Sequence, residues 1–321
     1  LAEKLIKIED IMKRLGWYLL KPDGVVDIGI HNTSLNQESF DEFTRVVGIT
    51  AELRPIVVDY LSLVEEFNEL SRAEMDISRS IQNVPNPVVW VGAKMTFAYV
   101  KAQRAISNFL SAASAFRDRT LTRLSEAYGK NSREFCVFNS AIKDAYDSSF
   151  AYRALYNLRN YSQHHDSPLS LLPVNGSRDN FDGLMKISVK IMLQWNDMLK
   201  SSRIQKKFLL EIKERSEPKI ELIGLAHDYM LQHSNLMHKI ISLHINRLDE
   251  MHEYAQVIMS VGCIPKGATP VIWEDTGRDA SDEKSKNKMF HHFSFDELFY
   301  VISLYECIGE GNFAPEVSLK I

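Results

Sequence analysis

Cysteine is scarce: Cys136, Cys263 and Cys307 are the only three, widely separated and never paired as CxxC. That count and spacing exclude a disulfide scaffold and a zinc knuckle, and they suit a reducing compartment. Long apolar runs are missing too. No stretch approaches the roughly 18 to 20 uninterrupted apolar residues of a membrane span. Yet 45% of the 321 residues are hydrophobic, enough for a substantial core. The opening stretch LAEKLIKIED is amphipathic and charged within four residues, unlike a secretory leader. It begins on Leu, so a missing or processed start is expected. A cytoplasmic protein without membrane association is the resulting expectation. Nucleophile elbows of the G-x-S-x-G kind are absent, and the GEGN stretch at 309–312 lacks the strand–helix frame of a phosphate loop. No internal repeat or low-complexity tract occurs.

Charge is present but unevenly placed. Residues 1–85 carry 9 Lys/Arg against 15 Asp/Glu, residues 86–165 carry 11 against 5, and residues 166–321 carry 18 against 22. The acidic net charge of −4 therefore hides a basic segment in the middle of the chain. A local excess of positive charge is the usual electrostatic footprint of a polyanion site.

Local signals divide the chain into three regions. Residues 1–85 read as a mixed α/β acidic accessory region, with helical periodicity over 2–15. Two extended pieces in GWYLLKPDGVVDIGIHN follow, joined by a turn at Pro22-Asp23-Gly24. Helical patterns resume near Gln37, and NVPNPV (83–88) is the best linker. Residues 86–262 hold four long helix-compatible segments, about 89–128, 132–165, 180–215 and 216–261. The first ends at Gly129, and the last starts at a Ser216-Glu217-Pro218 cap. Two of the joints are short, so an up-down four-helix bundle is expected. Residues 263–321 read as a loop-rich tail with a terminal helix, capped by Ser294 with Glu297 three residues on. The fold class is thus mainly α.

One polar cluster stands out. In RALYNLRNYSQHHDSP, a helix without Pro or Gly stops at Asp166-Ser167-Pro168, and its last turns carry Arg159, Asn160, Gln163 and His164. Arg159 and Gln163 are four apart, as are Asn160 and His164, so the four form two adjacent rows. Tyr152 and Tyr156 extend the Arg159 row backwards, and Arg153 flanks it. Phe150, Ala151, Ala154, Leu155, Leu158 and Tyr161 supply the buried stripe. An imidazole titrating near neutrality can move a proton, and a guanidinium can hold a phosphate. RNA supplies its own 2′-hydroxyl nucleophile, so such a cluster can cleave it without a metal or any other cofactor.

Arg159-Asn160-(Tyr-Ser-Gln)-His164 resembles the R-x4–6-H signature of the HEPN superfamily of all-α domains, including the polar residue after the Arg. That family places the motif near the end of a long bundle helix. AISNFLSAASAFRDR (105–119) also looks like the first bundle helix of this class. The resemblance covers about residues 89–260 and implies a metal-independent endoribonuclease, of the kind found in toxin and antiviral defence systems, working as a homodimer that joins two motifs. It assigns Arg159, His164 and Asn160 to catalysis. Gln163, Tyr156, Arg153 and Asn108 fall to the substrate side, with Tyr156 stacking on a base. His165 gives an R-x5-H register; His164 is preferred because it shares a row with Asn160. RNA is the expected partner, and the acidic flank leaves room for a regulatory protein.

Two other readings fit the same residues. A HEPN module without catalysis would bind nucleotide, RNA or protein and leave RNA uncut. A structural role would have the histidines interact with the helix dipole while Arg159 pairs with a carboxylate. Asn108, Ser111 and Ser114 form a polar strip that completes the site or permits a close helix crossing. His227, His233, His238, His244 and His252 are spaced 6, 5, 6 and 8 apart, which is not the i, i+4 spacing of a helical metal site. They read as helix surface.

Overall fold

The structure, a computed structural model, describes residues 12–82, 93–164, 172–178, 185–195, 204–215, 219–275, 290–293 and 295–315, with Leu169 and Leu199 between them. The described chain is mainly helical, with strands at its N-terminus. It divides into two compact units, one of residues 1–55 and 241–303 and the other of residues 56–240 and 304–321. The breaks between the units, at 55/56 and 240/241, fall inside two long helices, Gln37–Gln82 and Leu222–Val261.

The first unit is built on the hairpin foreseen at Pro22-Asp23-Gly24. Strands β1 (Met12–Leu20) and β2 (Val26–Leu35) pair antiparallel, with Trp17 opposite Gly29 and Tyr18 opposite Ile28. Gly24 takes φ +81° and donates to the Lys21 carbonyl, while the Val25 amide donates to Asp23 Oδ1. Residues from Met12 onward are thus strand, not the helix that periodicity over 2–15 suggests. Strands β7 (Thr269–Asp275) and β8 (Phe290–His292) complete an antiparallel sheet in the order β2-β1-β7-β8. Gly16 is required at its place: a Cβ there would lie 2.5 Å from the Gly29 carbonyl and from the Trp273 indole nitrogen.

Helix α1 (Gln37–Gln82) starts where Asn36 Oδ1 accepts from the Ser39 amide, and it continues through Pro55. Its first part packs Phe43, Val46, Ile49 and Leu53 into the sheet unit. Leu248 and Met251 of α6 (Leu222–Val261) and Leu298 of α7 (Phe295–Gly309) are buried in the same unit. The ion pairs Arg45–Glu250, Glu52–Arg247 and Arg54–Glu297 join these helices at 2.6–2.9 Å. All are largely exposed, so water and salt screen them and they add little to stability.

In the second unit the remainder of α1 meets α2 (Ala93–Tyr128), α3 (Arg133–Ser148), α4 (Phe150–His164) and the first half of α6. Aromatic rings form the junction. Tyr60 contacts Phe116 edge-on, Phe67 contacts Phe109, and Phe109 contacts Tyr229 at 5.9 Å. Helix α2 stops at Gly129, φ +87°, as its sequence implies. Ser132 caps α3 by accepting from the Phe135 amide.

Two helical segments depart from expectation. The one over 132–165 is broken at Ser149, whose extended backbone ends α3 while its Oγ accepts from the Tyr152 amide to start α4. Serine side chains compete with the backbone ladder in this way. The one over 180–215 is not a helix. Its described residues form β4 (Met185–Val189), paired with β3 (Val174–Arg178), then β5 (Met192–Gln194), paired with β6 (Lys219–Glu221), and α5 (Lys206–Glu214). The alternation of Val189, Ile191, Leu193 and Trp195, all buried, is a strand period. Both proposed caps, Ser216 and Ser294, lie outside the described residues.

Candidate functional site

Helix α4 forms because its apolar residues recur on one face: Ala151, Ala154, Leu155, Leu158 and Tyr161 are buried. Tyr152 is buried as well, at 1% exposure, so the apolar face is wider than the stripe read from the sequence. The row Tyr152, Tyr156, Arg159, Gln163 then runs outward along the helix. Tyr156 and Arg159 are half-buried and Gln163 is exposed.

Arg159 is the most informative member. Among the described residues it forms no salt bridge, and its buried Nε has no hydrogen-bond acceptor. Its Nη1 donates to Asn160 Oδ1 at 3.4 Å, a long bond that draws the neighbouring amide to the guanidinium. The Arg159 carbonyl accepts from Ser162 Oγ. The structural alternative, in which Arg159 pairs with a carboxylate, has no counterpart among these residues. His164 ends α4, but its side chain lies outside the described residues, as does His165.

Arg153 is engaged elsewhere. Its Nε and Nη2 donate to both carboxylate oxygens of Glu211 on α5, at 2.9 and 2.8 Å. Its Nη1 donates to the carbonyls of Tyr146 and Asp147 at the end of α3. One guanidinium thus closes the α3–α4 break and ties α4 to α5. Asn108 is exposed on α2 and lines a groove of about 350 Å³ with Glu66, Glu69, Lys101 and Arg104.

From α2 it is Arg117, rather than Asn108, whose interaction with the motif helix is seen. Its guanidinium carbon sits 4.9 Å from the centre of the Tyr156 ring, a cation–π contact. Burial opposes the Arg117 charge, but Asp118, bonded at 2.8 Å, and the hydroxyls of Tyr152 and Tyr229 outweigh it and hold the group above its ordinary value. Arg117 and Arg159 both favour the ionised form of the fully buried Tyr229 phenol, although burial wins and raises it. The two guanidiniums therefore share one electrostatic neighbourhood.

Beneath them lies His233 of α6, fully buried. Its ring stacks on Tyr152 at 5.4 Å and meets Tyr229 edge-on at 4.3 Å. Nδ1 donates to the Tyr229 carbonyl at 3.0 Å, while Nε2 has no partner among the described residues. Desolvation first, and the Arg117 charge after it, push His233 down to about 4, so the ring is neutral at physiological pH. Sequence reasoning placed His233 and His244 on the helix surface, and both are buried. A signal for His233 existed: it follows buried Tyr229 and Met230 at the i, i+3 and i, i+4 positions of one apolar face. The described residues include no group of three or more His, Cys, Asp or Glu placed to hold a metal ion. None of the described helices is long and apolar enough to cross a membrane.

The arrangement places Arg117 on the Tyr156 ring and Arg159 three residues further along α4, with buried phenols and a neutral imidazole in the same neighbourhood. It can hold an anion and stack against a planar group. No family model, no curated protein and no solved structure matches this chain.

Proposed function

We propose that the helical unit carries a HEPN-type domain acting as a metal-independent endoribonuclease, in the manner of a toxin or antiviral effector. Two copies of the Arg159/His164 site would meet in a homodimer. The observation that carries the reading is the contrast between two arginines on one helix. Arg153 is bound to a carboxylate and two carbonyls, whereas Arg159 forms no ion pair among the described residues. A half-buried guanidinium without a carboxylate is suited to a ligand's phosphate. The net positive charge of residues 86–165 supports the same polyanion.

In the reaction the RNA 2′-oxygen attacks the adjacent phosphorus while its proton passes to a base. The bond to the 5′-oxygen breaks, and that oxygen takes a proton from an acid. His164 serves in this exchange, Arg159 holds the phosphate as negative charge develops, and Asn160 and Gln163 orient them. Tyr156, already stacked under Arg117, offers a face to a base.

A mixed RNA pool incubated with the protein in EDTA tests the reading, with His164→Ala and Arg159→Ala as controls checked for folding by circular dichroism. Cleavage with 2′,3′-cyclic phosphate ends, lost in both variants, is expected. RNA bound but uncut would transfer the assignment to a silent binding module. Cutting that survives both substitutions would overturn the site.

A further inference from the structure

The sheet unit holds a cavity of about 830 Å³ that belongs to neither the motif helix nor its buried layer. Its walls come from four places in the chain: Tyr18 of β1, the 252–260 stretch of α6, residues 267–269 leading into β7, and Phe293 with the first residues of α7. That volume is within the range of small-molecule sites. We propose that this cavity binds an unphosphorylated, amino-bearing nucleoside, of which adenosine is the probe.

The walls are aromatic. Phe293 and Phe295 lie 4.5 Å apart, Phe295 and Phe299 stack at 6.2 Å, and Tyr18 faces the same space. Phe293 is completely buried and forms the floor, but Phe299 is 49% exposed. An aromatic ring left half in water beside a cavity gains apolar burial when a flat ligand covers it. Such rings favour planar partners over branched aliphatic ones.

The polar groups narrow the class. Gln256, Ser260 and Thr269 can each donate or accept, which suits ribose hydroxyls. The Gln256 amide nitrogen lies 2.9 Å from His252 Nε2, so the two side chains form one polar pair on the wall. Asp296 is exposed at the rim and only accepts while ionised, so it selects an amino group. Among the described residues, no Lys or Arg lines the cavity. A phosphate would meet the exposed Asp296 carboxylate with no Lys or Arg among the described lining residues to offset it, which disfavours the nucleotide relative to the nucleoside.

Calorimetric titration of the full chain with adenosine, AMP and uridine tests this. Saturable adenosine binding in the range of about 10 μM to 1 mM is expected, with AMP and uridine each at least about tenfold weaker. Phe299→Ala should weaken adenosine about tenfold, and Asp296→Asn should narrow the gap between adenosine and AMP. Both side chains are exposed, so the fold survives, and circular dichroism confirms it. No saturable binding, AMP or uridine binding as tightly as adenosine, or affinity unchanged in both variants would each overturn the proposal. RNA cleavage bears on none of these readings.

Discussion

His233 shows how much burial changes a side chain's chemistry. A histidine in water protonates near pH 6.5, but here desolvation holds the folded-state value at about 4. Above pH 6.5 the ring is neutral in folded and unfolded chains alike, and its contribution to stability is complete. Below that pH the unfolded chain takes up a proton that the folded chain refuses, so stability falls progressively until about pH 4. The loss is on the order of 3 kcal/mol. Urea unfolding at pH 7.5 and 4.5 should show this decline in the wild type. His233→Phe, which keeps the stacked ring against Tyr152 and Tyr229, should lose that part of it. An equal pH slope in the variant would place the decline on other groups.

Helices α3 and α4 show an element boundary made by side chains. Ser149 supplies the cap that starts α4, and Arg153 reaches back to the last carbonyls of α3 while gripping Glu211. The Arg153 side chain is 16% exposed and that of Glu211 29%, so water screens the pair only partly. Arg153→Ala is expected to cost about 1–3 kcal/mol of stability, because two carbonyls and a carboxylate lose their donors. Glu211→Gln should cost less. The double variant should fall short of the sum, since both changes act on one contact. A stable Arg153→Ala protein with impaired RNA binding would instead return Arg153 to the substrate side.

Across the molecule, charge is arranged rather than balanced. The basic excess of residues 86–165 resides in the helical unit, and its Arg119 and Arg123 already share the nearly buried carboxylate of Asp59. Under the proposed function, RNA binding to this unit would displace counterions, so its affinity should fall at least about tenfold between 50 and 200 mM salt. Arg159→Ala should reduce the slope of log affinity against log salt by about one. Fluorescence anisotropy with a labelled single strand measures both. A slope unchanged by the substitution would remove Arg159 from the phosphate contacts.

What could be read directly from the chain is what local chemistry controls. The helical majority follows from periodicity, the β1–β2 turn from Pro22-Asp23-Gly24, the end of α2 from Gly129, and the polar end of α4 from the residues before Pro168. Each depends on backbone preferences within a few residues. In the 180–215 segment a strand period and a helix period look alike over short apolar runs, and pairing with β3 and β6 decides between them. The candidate site divides the same way. Arg159 and Asn160 announce themselves by spacing, but that Arg153 is bound to a carboxylate depends on Glu211, 58 residues away, whereas Arg159 forms no ion pair among the described residues. Arg117, Tyr229 and His233 join the site only through helix packing, and the cavity at Tyr18, His252 and Phe299 gathers residues more than two hundred positions apart. Desolvation and long-range contact act on the folded chain alone, so tertiary structure decides which charges are spent, which ring stays neutral and where a ligand can enter.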